Sequence, residues 1–186
     1  MTDTNQSHRR TLRAMLEALP ADARTDGTLL IRPIQDDYDL WFATVSCKLK
    51  EGQEDLVNPA GFSIGRAYLA PDDNYPCIVC KSDGTKIGYI VFRKWSGTDR
   101  LMASWSYFLS AEYQGLGLGR RAAMLAVHIL KAAGLREIRL STEAENKRAQ
   151  RLYRSIGFQM LDEKDGDDLV FGITWNKEKE SWKNSF

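Results

Sequence analysis

An α/β fold, a sheet with helices on both faces, follows from three observations. Extended stretches alternate along the chain with apolar stripes of helical period. Two Asp-Gly pairs, Asp83-Gly84 and Asp165-Gly166, sit between extended runs and mark hairpin turns. A cluster of glycines at 115–119 separates a strand from a helix.

The elements follow in order. Leu12, Met15, Leu16 and Leu19 share one helical face over residues 9–19, and Pro20 ends it. Residues 21–27 are polar and read as a linker. Thr28–Ile34 is the first strand. Asp36 and Asp37 offer an acidic start to a helix over about 37–50. A shorter helical patch lies within Gln53–Tyr68, broken by Pro59 and Gly61. Cys77–Lys81 and Lys86–Arg93 form a hairpin around Ser82-Asp83-Gly84-Thr85. After a turn at Ser96-Gly97-Thr98-Asp99, Leu101–Leu109 is extended. A helix covers Gly119–Ala133 and closes at Gly134. Arg136–Thr142 alternates, with Ile138, Leu140 and Thr142 on one face, as a half-buried strand does. Asn146 is placed to cap a helix whose apolar face is Ala149, Leu152, Tyr153 and Ile156. Phe158–Leu161 and Asp168–Thr174 make a last hairpin, followed by a charged tail over 176–186.

Composition narrows the class. The chain has 186 residues, 43% hydrophobic and 27% charged, with a formal net charge of +1. That suits one domain with its own core and offers no bulk attraction to nucleic acid or membrane. No apolar run approaches a spanning helix. Met1–Arg10 is polar and lacks the apolar region of a secretory signal, so the expected location is cytoplasmic. The three cysteines, Cys47, Cys77 and Cys80, are too few and too sparse for a disulfide framework. Cys77-Ile78-Val79-Cys80 has the form C-x-x-C, but residues three apart on a strand point to opposite faces. No second Cys/His pair completes a zinc site, and no metal is expected.

The glycine cluster carries the chemistry. Gly115, Gly117 and Gly119 alternate between a strand and a helix. Glycine allows positive φ and a close approach of backbone to ligand. Free N–H groups at a helix start bind phosphate oxygens, and Arg120 and Arg121 add charge at the rim. The dinucleotide motif G-x-G-x-x-G and the P-loop ending Gly-Lys-Ser/Thr are both absent. A glycine-rich turn without a ligand is the remaining alternative.

The residues around the loop decide between these readings. Gln114-Gly115-Leu116-Gly117-Leu118-Gly119 resembles the Q/R-x-x-G-x-G/A signature of the GNAT N-acetyltransferase superfamily. Asn146-x-x-Ala149-x-x-Leu152-Tyr153, followed by Gly157-Phe158, resembles that family's second cofactor motif. The clear resemblance covers about residues 85–174. It implies a mixed, mostly antiparallel sheet with splayed central strands and helices on both faces. The domain would span 28–175, preceded by a helical extension and linker over 1–27.

The resemblance also implies acetyl-CoA as co-substrate and assigns roles. The strand ending Tyr107-Phe108-Leu109 pairs with the pantetheine arm by strand addition. The Leu109 N–H donates to the thioester carbonyl as it gains charge. Amides from Gly115 through Leu116, Gly117, Leu118 and Gly119 to Arg120 hold the pyrophosphate, with Gln114 at the head of the loop. Asn146 bonds the pantetheine or orders the loop. Tyr153 stands near the sulfur and protonates the leaving thiolate.

An amine acceptor is mostly protonated at neutral pH, so its proton must pass to a base or a water chain. Some relatives that modify protein N-termini carry a Glu five residues before the Asn; here that position is Ser141. Glu143, just beyond the strand, is the candidate base, with Glu112 and a base-free water route as alternatives. Acidic residues flank the expected acceptor pocket: Asp162, Glu163, Asp165, Asp167 and Asp168 on the last hairpin, and Glu51, Glu54 and Asp55 earlier. They suit a cationic amine. Gln53–Asn58, Ser63–Tyr68 and Lys86–Ile90 look like the front half of bacterial diamine and polyamine acetyltransferases. A small polyamine-like amine is therefore the leading acceptor. A protein lysine or N-terminal acetyltransferase is one alternative. A non-catalytic acyl-CoA-binding module, with helix 9–19 as its partner surface, is the other. A homodimer is compatible with either, the apolar helix face packing on its own domain or on a mate.

Overall fold

The computed structural model describes residues 11–53, 57–95 and 102–175. Seven strands form one sheet in the order β1-β2-β3-β4-β5-β7-β6. The strands are β1 (Leu29–Pro33), β2 (Asn74–Lys81), β3 (Lys86–Lys94), β4 (Ala103–Leu109), β5 (Glu137–Thr142), β6 (Gln159–Asp165) and β7 (Asp168–Thr174). Every neighbouring pair is antiparallel except β4 and β5.

Helices cover both faces. One face carries α1 (Leu12–Glu17), α4 (Leu118–Ala132) and α5 (Lys147–Ser155) over Ile31, Ile90 and Phe92. The other carries α2 (Asp37–Trp41) and α3 (Ala60–Leu69) over Ile78, Val91 and Phe108. The face assignment separates the two cysteines of the C-x-x-C as the strand period predicts: Cys77 belongs to the first core and Cys80 to the second. Both thiols are buried, and burial pushes Cys77 up to about 12. No helix among the described residues is long and apolar enough to cross a membrane.

Helix α1 is shorter than the 9–19 expected, and residues 9 and 10 lie outside the described residues. Thr11 caps it, its Oγ1 accepting from the Ala14 N–H at 3.2 Å. Six residues are too few for an independent helix. Leu12 and Leu16, fully buried in the main core, hold it in place, each worth about 2 kcal/mol of burial.

The helix expected over 37–50 stops early. Asp36 caps α2 as predicted, its Oδ1 accepting from Asp39 N–H at 2.8 Å. After Trp41 the chain widens into a π turn over Phe42–Ser46 and leaves the helix at Cys47. Thr44 Oγ1 bonds back to the Leu40 carbonyl, a contact that bends helices. The Lys48 carbonyl is taken by the Ala111 N–H at 2.7 Å. Helix α3 starts at Ala60, directly after Pro59, because a residue preceding proline is biased out of the helical region; Gly61 is accommodated inside it. Glu54, Asp55, Leu56, the 96–99 turn and the 176–186 tail lie outside the described residues.

Strands β4 and β5 are parallel and meet at Ala103 and Ile138, the single register pair between them among the described residues. Beyond it they diverge. By contrast, β4 is paired with β3 along the whole length of β4, from Lys94–Ala103 to Gly88–Leu109. At that last pair the strands approach so closely that a Cβ on Gly88 would lie 2.5 Å from both the Phe108 carbonyl oxygen and Leu109 Cδ2.

Candidate active site

The divergence of β4 from β5 opens a cavity of about 800 Å³. Residues Ser104–Leu109 form one wall and Ser141, Thr142 and Glu143 the other. The free edge of β4 faces this space. Ser110 N–H donates to the Ile87 carbonyl at 2.9 Å, and in an antiparallel ladder backbone groups alternate in direction. Phe108 therefore bonds toward β3, while the backbone groups of Leu109 and Tyr107 turn toward the gap. The Leu109 carbonyl accepts from Gln114 Nε2 at 2.9 Å, on that same side. Gln114 Nε2 also reaches Gln53 Oε1 at 2.9 Å, and Arg148 Nη1 lies 3.4 Å from Gln114 Oε1. The loop's leading glutamine thus fastens the end of β4 to two other segments of the site.

The glycine loop has the backbone its composition predicts. Gly115 and Gly117 adopt φ of +85° and +79°, which L side chains rarely tolerate. No side chain caps α4, and its first turn contains no acidic residue. The amides that open it have no partner within the helix. Gly115 and Gly119 line the cavity; Leu116, Gly117, Leu118 and Arg120 do not. Tyr107 Oη donates to the Gly119 carbonyl at 3.0 Å and ties the helix start to β4. Arg121 is committed to Asp26, Nε to Oδ2 at 2.6 Å. Among the described residues Arg120 reaches the Ser155 carbonyl alone, at 3.3 Å, and is exposed. The free amides at the helix start, with the exposed Arg120 beside them, fit a phosphate ester.

Helix α5 supplies the opposite wall. Asn146 caps it, its side chain accepting from Ala149 N–H at 3.0 Å, and lines the cavity. Tyr153, two turns on, is buried at 9% exposure and packs against Phe158 and Phe171, with ring centroids 6.0 and 5.5 Å away. It lines the cavity and donates to no described residue. Burial, with the nearby Asp168 charge, pushes its phenol up to about 12.

The acids divide. Glu143 is exposed and lines the cavity. Glu112 lies in the short turn Ala111–Tyr113 and is not on the wall. Of the acids on the last hairpin, Glu163, Asp165 and Asp168 line the cavity; Asp162 and Asp167 do not, nor does Glu51. Glu163 is already paired with Arg139. Asp168 is raised by burial and by the charges of Asp165 and Asp167. It joins Glu143 as a candidate base, which its position in an acidic turn does not reveal in the sequence. Gln53 and Asn58 line the α3 side of the cavity, whereas Tyr68 is exposed. The same side carries Arg66 and Arg93, which sequence reasoning passed over.

Known proteins share this fold. A spermidine N-acetyltransferase from Vibrio cholerae, crystallised with CoA and spermine, superposes with a TM-score of 0.64 at 17% identity, over 80% of this chain and 96% of that one. At that identity the likeness speaks for the fold. The L-methionine sulfoximine/L-methionine sulfone acetyltransferase of Salmonella typhimurium is 27% identical over 100 residues, 53% of this chain and 58% of its own. The spermidine N(1)-acetyltransferase of Escherichia coli K12 is 34% identical over 83 residues, 44% of each. The chain thus spans about half the length of these two curated relatives. Residues 39–158 match the acetyltransferase (GNAT) family, well over half of the chain, and the protein belongs to that family.

Proposed function

We propose that this chain transfers an acetyl group from acetyl-CoA to the primary amine of a small molecule. The gap between β4 and β5 carries the reading, because it joins an uncapped helix start to a buried phenol across one cavity. The α4 amides and Gly115 hold the pyrophosphate, and Arg148 at the cavity wall adds charge. The gap-facing backbone of Tyr107 and Leu109, with Asn146 opposite, aligns the pantetheine as an added strand.

Acetyl-CoA supplies an acyl thioester whose C–S bond breaks as the C–N bond to the amine forms. Leu109 N–H donates to the carbonyl oxygen as negative charge builds there. Tyr153 protonates the departing sulfur. Glu143 or Asp168, directly or through water, takes the proton that the amine gives up. Holding amine and thioester together supplies much of the rate.

Asp165 and Asp168 on the wall support an acceptor that arrives as a cationic amine, and the spermidine acetyltransferases among the relatives put diamines and polyamines among the acceptors to be tested. The test is thiol release from acetyl-CoA with diamines, spermidine, spermine, amino acids and lysine-containing peptides. Release with small amines is expected. Tight CoA binding without release in any case would overturn the reading in favour of a binding module, and peptide-only release would move the acceptor to protein.

Gly88→Ala tests the role of Leu109. The added methyl has no room against Phe108 and Leu109. Overpacking of this kind costs about 1–3 kcal/mol, and a 1 Å displacement of a positioning group costs about a hundredfold in rate. A fall in kcat of about tenfold or more is expected, together with a lower Tm. Wild-type kcat in the folded variant would separate Leu109 from catalysis.

A further inference from the structure

The α3 side of the cavity holds a cation that acetyl transfer does not use. On β3, Phe92 packs into the α4-side core and Val91 into the α3-side core. Alternation turns Arg93 to the α3 side with Val91. Arg93 is half-buried, and its Nε is shielded from solvent without a hydrogen-bond partner among the described residues. No carboxylate among the described residues lies within ion-pair distance of it. Arg66 of α3 lines the same space. Burial first, and the Arg66 charge second, make the Arg93 cation less favourable, with Tyr89 and then Asp165 opposing. A guanidinium nevertheless stays charged. A buried charge without a partner is costly, and an anion from outside relieves that cost.

The surroundings fit such an anion. Ser104 lies directly across from Arg93 in the β3–β4 register. Opposite residues share a face with Cβ atoms about 5 Å apart. Ser104 and Ser106 both line the cavity. A planar fork of N–H donors beside two hydroxyls matches a carboxylate or another small oxyanion. The cofactor's phosphates belong elsewhere, at the α4 start beyond Leu109. From Ser104 to the gap-facing amides of Tyr107 and Leu109 is three to five residues, about 10–17 Å of strand at roughly 3.3 Å per residue.

We propose that Arg93, with Arg66 and Ser104 around it, receives an anionic group of the acceptor. The acceptor is then amphoteric, with its primary amine at the thioester and a carboxylate-type anion several bonds away. A lysine-like or ω-amino acid, met by the long Arg93 side chain, bridges that distance; a short α-amino acid offering its α-amine does not. The amine end of this assignment rests on the acetyl-transfer reading, while the anion end rests on Arg93 alone.

The test uses a matched pair, ε-aminocaproate and hexamethylenediamine, with glycine as the short control. Acetylation and calorimetric binding to the CoA-loaded protein are both measured. Wild type should prefer ε-aminocaproate in both. Arg93→Gln should weaken ε-aminocaproate about thirtyfold or more and leave hexamethylenediamine unchanged or improved. Arg66→Gln, at an exposed position, should act in the same direction more weakly. Wild-type preference for the diamine in binding and turnover overturns the proposal, as does an equal loss for both acceptors in a folded Arg93→Gln. Selective binding of ε-aminocaproate without acetylation of any amine supports the anion site and instead sinks the acetyl-transfer reading.

Discussion

Replacing Tyr153 by Phe is expected to lower kcat by about a hundredfold while the affinity for CoA changes by less than about threefold. General acid catalysis by a positioned side chain contributes on the order of 10²–10⁴, and the substitution removes only the hydroxyl. The ring keeps its contacts with Phe158 and Phe171, so the fold should survive with little change in Tm. The Tyr153 hydroxyl holds no described residue in place, which leaves its proton for a ligand. Its phenol, pushed up to about 12, keeps that proton at neutral and mildly alkaline pH. Wild-type activity should therefore rise with pH as amine and base lose protons, with no descending limb from Tyr153 in that range. Steady-state kinetics beside equilibrium CoA binding separates the two effects. An unchanged kcat would remove Tyr153 as the acid, and an equal loss in kcat and CoA affinity would make it a wall of the cofactor channel.

The parts of this site that depend on local backbone chemistry were legible in the sequence. Positive φ at Gly115 and Gly117, the Asn146 cap and the spacing that brings Tyr153 to the same wall are properties of short segments. The parts that depend on pairing at a distance were not. The early end of α2 coincides with a bond from Ala111 to Lys48, which no helical period in 37–50 announces. Arg93 reads in the sequence as a charged strand end, and only its register with Ser104 and the placement of Arg66 show it facing into a cavity. The acidic hairpin misleads in the opposite direction: Glu163 is paired with Arg139, and Asp162 and Asp167 do not line the cavity. A count of carboxylates therefore overstates the cavity's negative charge.

Asp39→Asn is expected to cost about 3 kcal/mol of stability. Asp39 is fully buried and accepts from three directions: Arg32 Nη2 at 2.9 Å, Lys86 Nζ at 2.7 Å and Gln35 N–H at 3.0 Å. It joins β1, β3 and the start of α2 on the sheet face that borders the α3 side of the cavity. An amide of the same shape leaves two largely shielded cations without their counter-ion, and breaking a buried pair costs about 3–5 kcal/mol. The fall in Tm should be on the order of 10 °C for a domain of this size. The hydrogen bonds from Arg32, with burial opposing and Lys86 adding, hold the Asp39 carboxyl well below the usual carboxylate range. A carboxyl depressed on folding stabilises above its unfolded value near 3.9 and loses that contribution as pH falls through the folded value. The gap between wild type and Asp39→Asn should thus be constant around neutrality and narrow below about pH 4. Urea midpoints measured at neutral and acid pH test this directly. A gap that stays constant into acid would assign the loss to packing rather than charge, and no gap at neutral pH would remove Asp39 as the anchor of α2. Because Lys86 lies two residues before Gly88, loosening this anchor should also reach the β3–β4 contact that aims the Leu109 N–H. A variant still folded at low temperature should therefore lose kcat while it keeps its affinity for CoA, whose phosphate site is on the other face of the sheet.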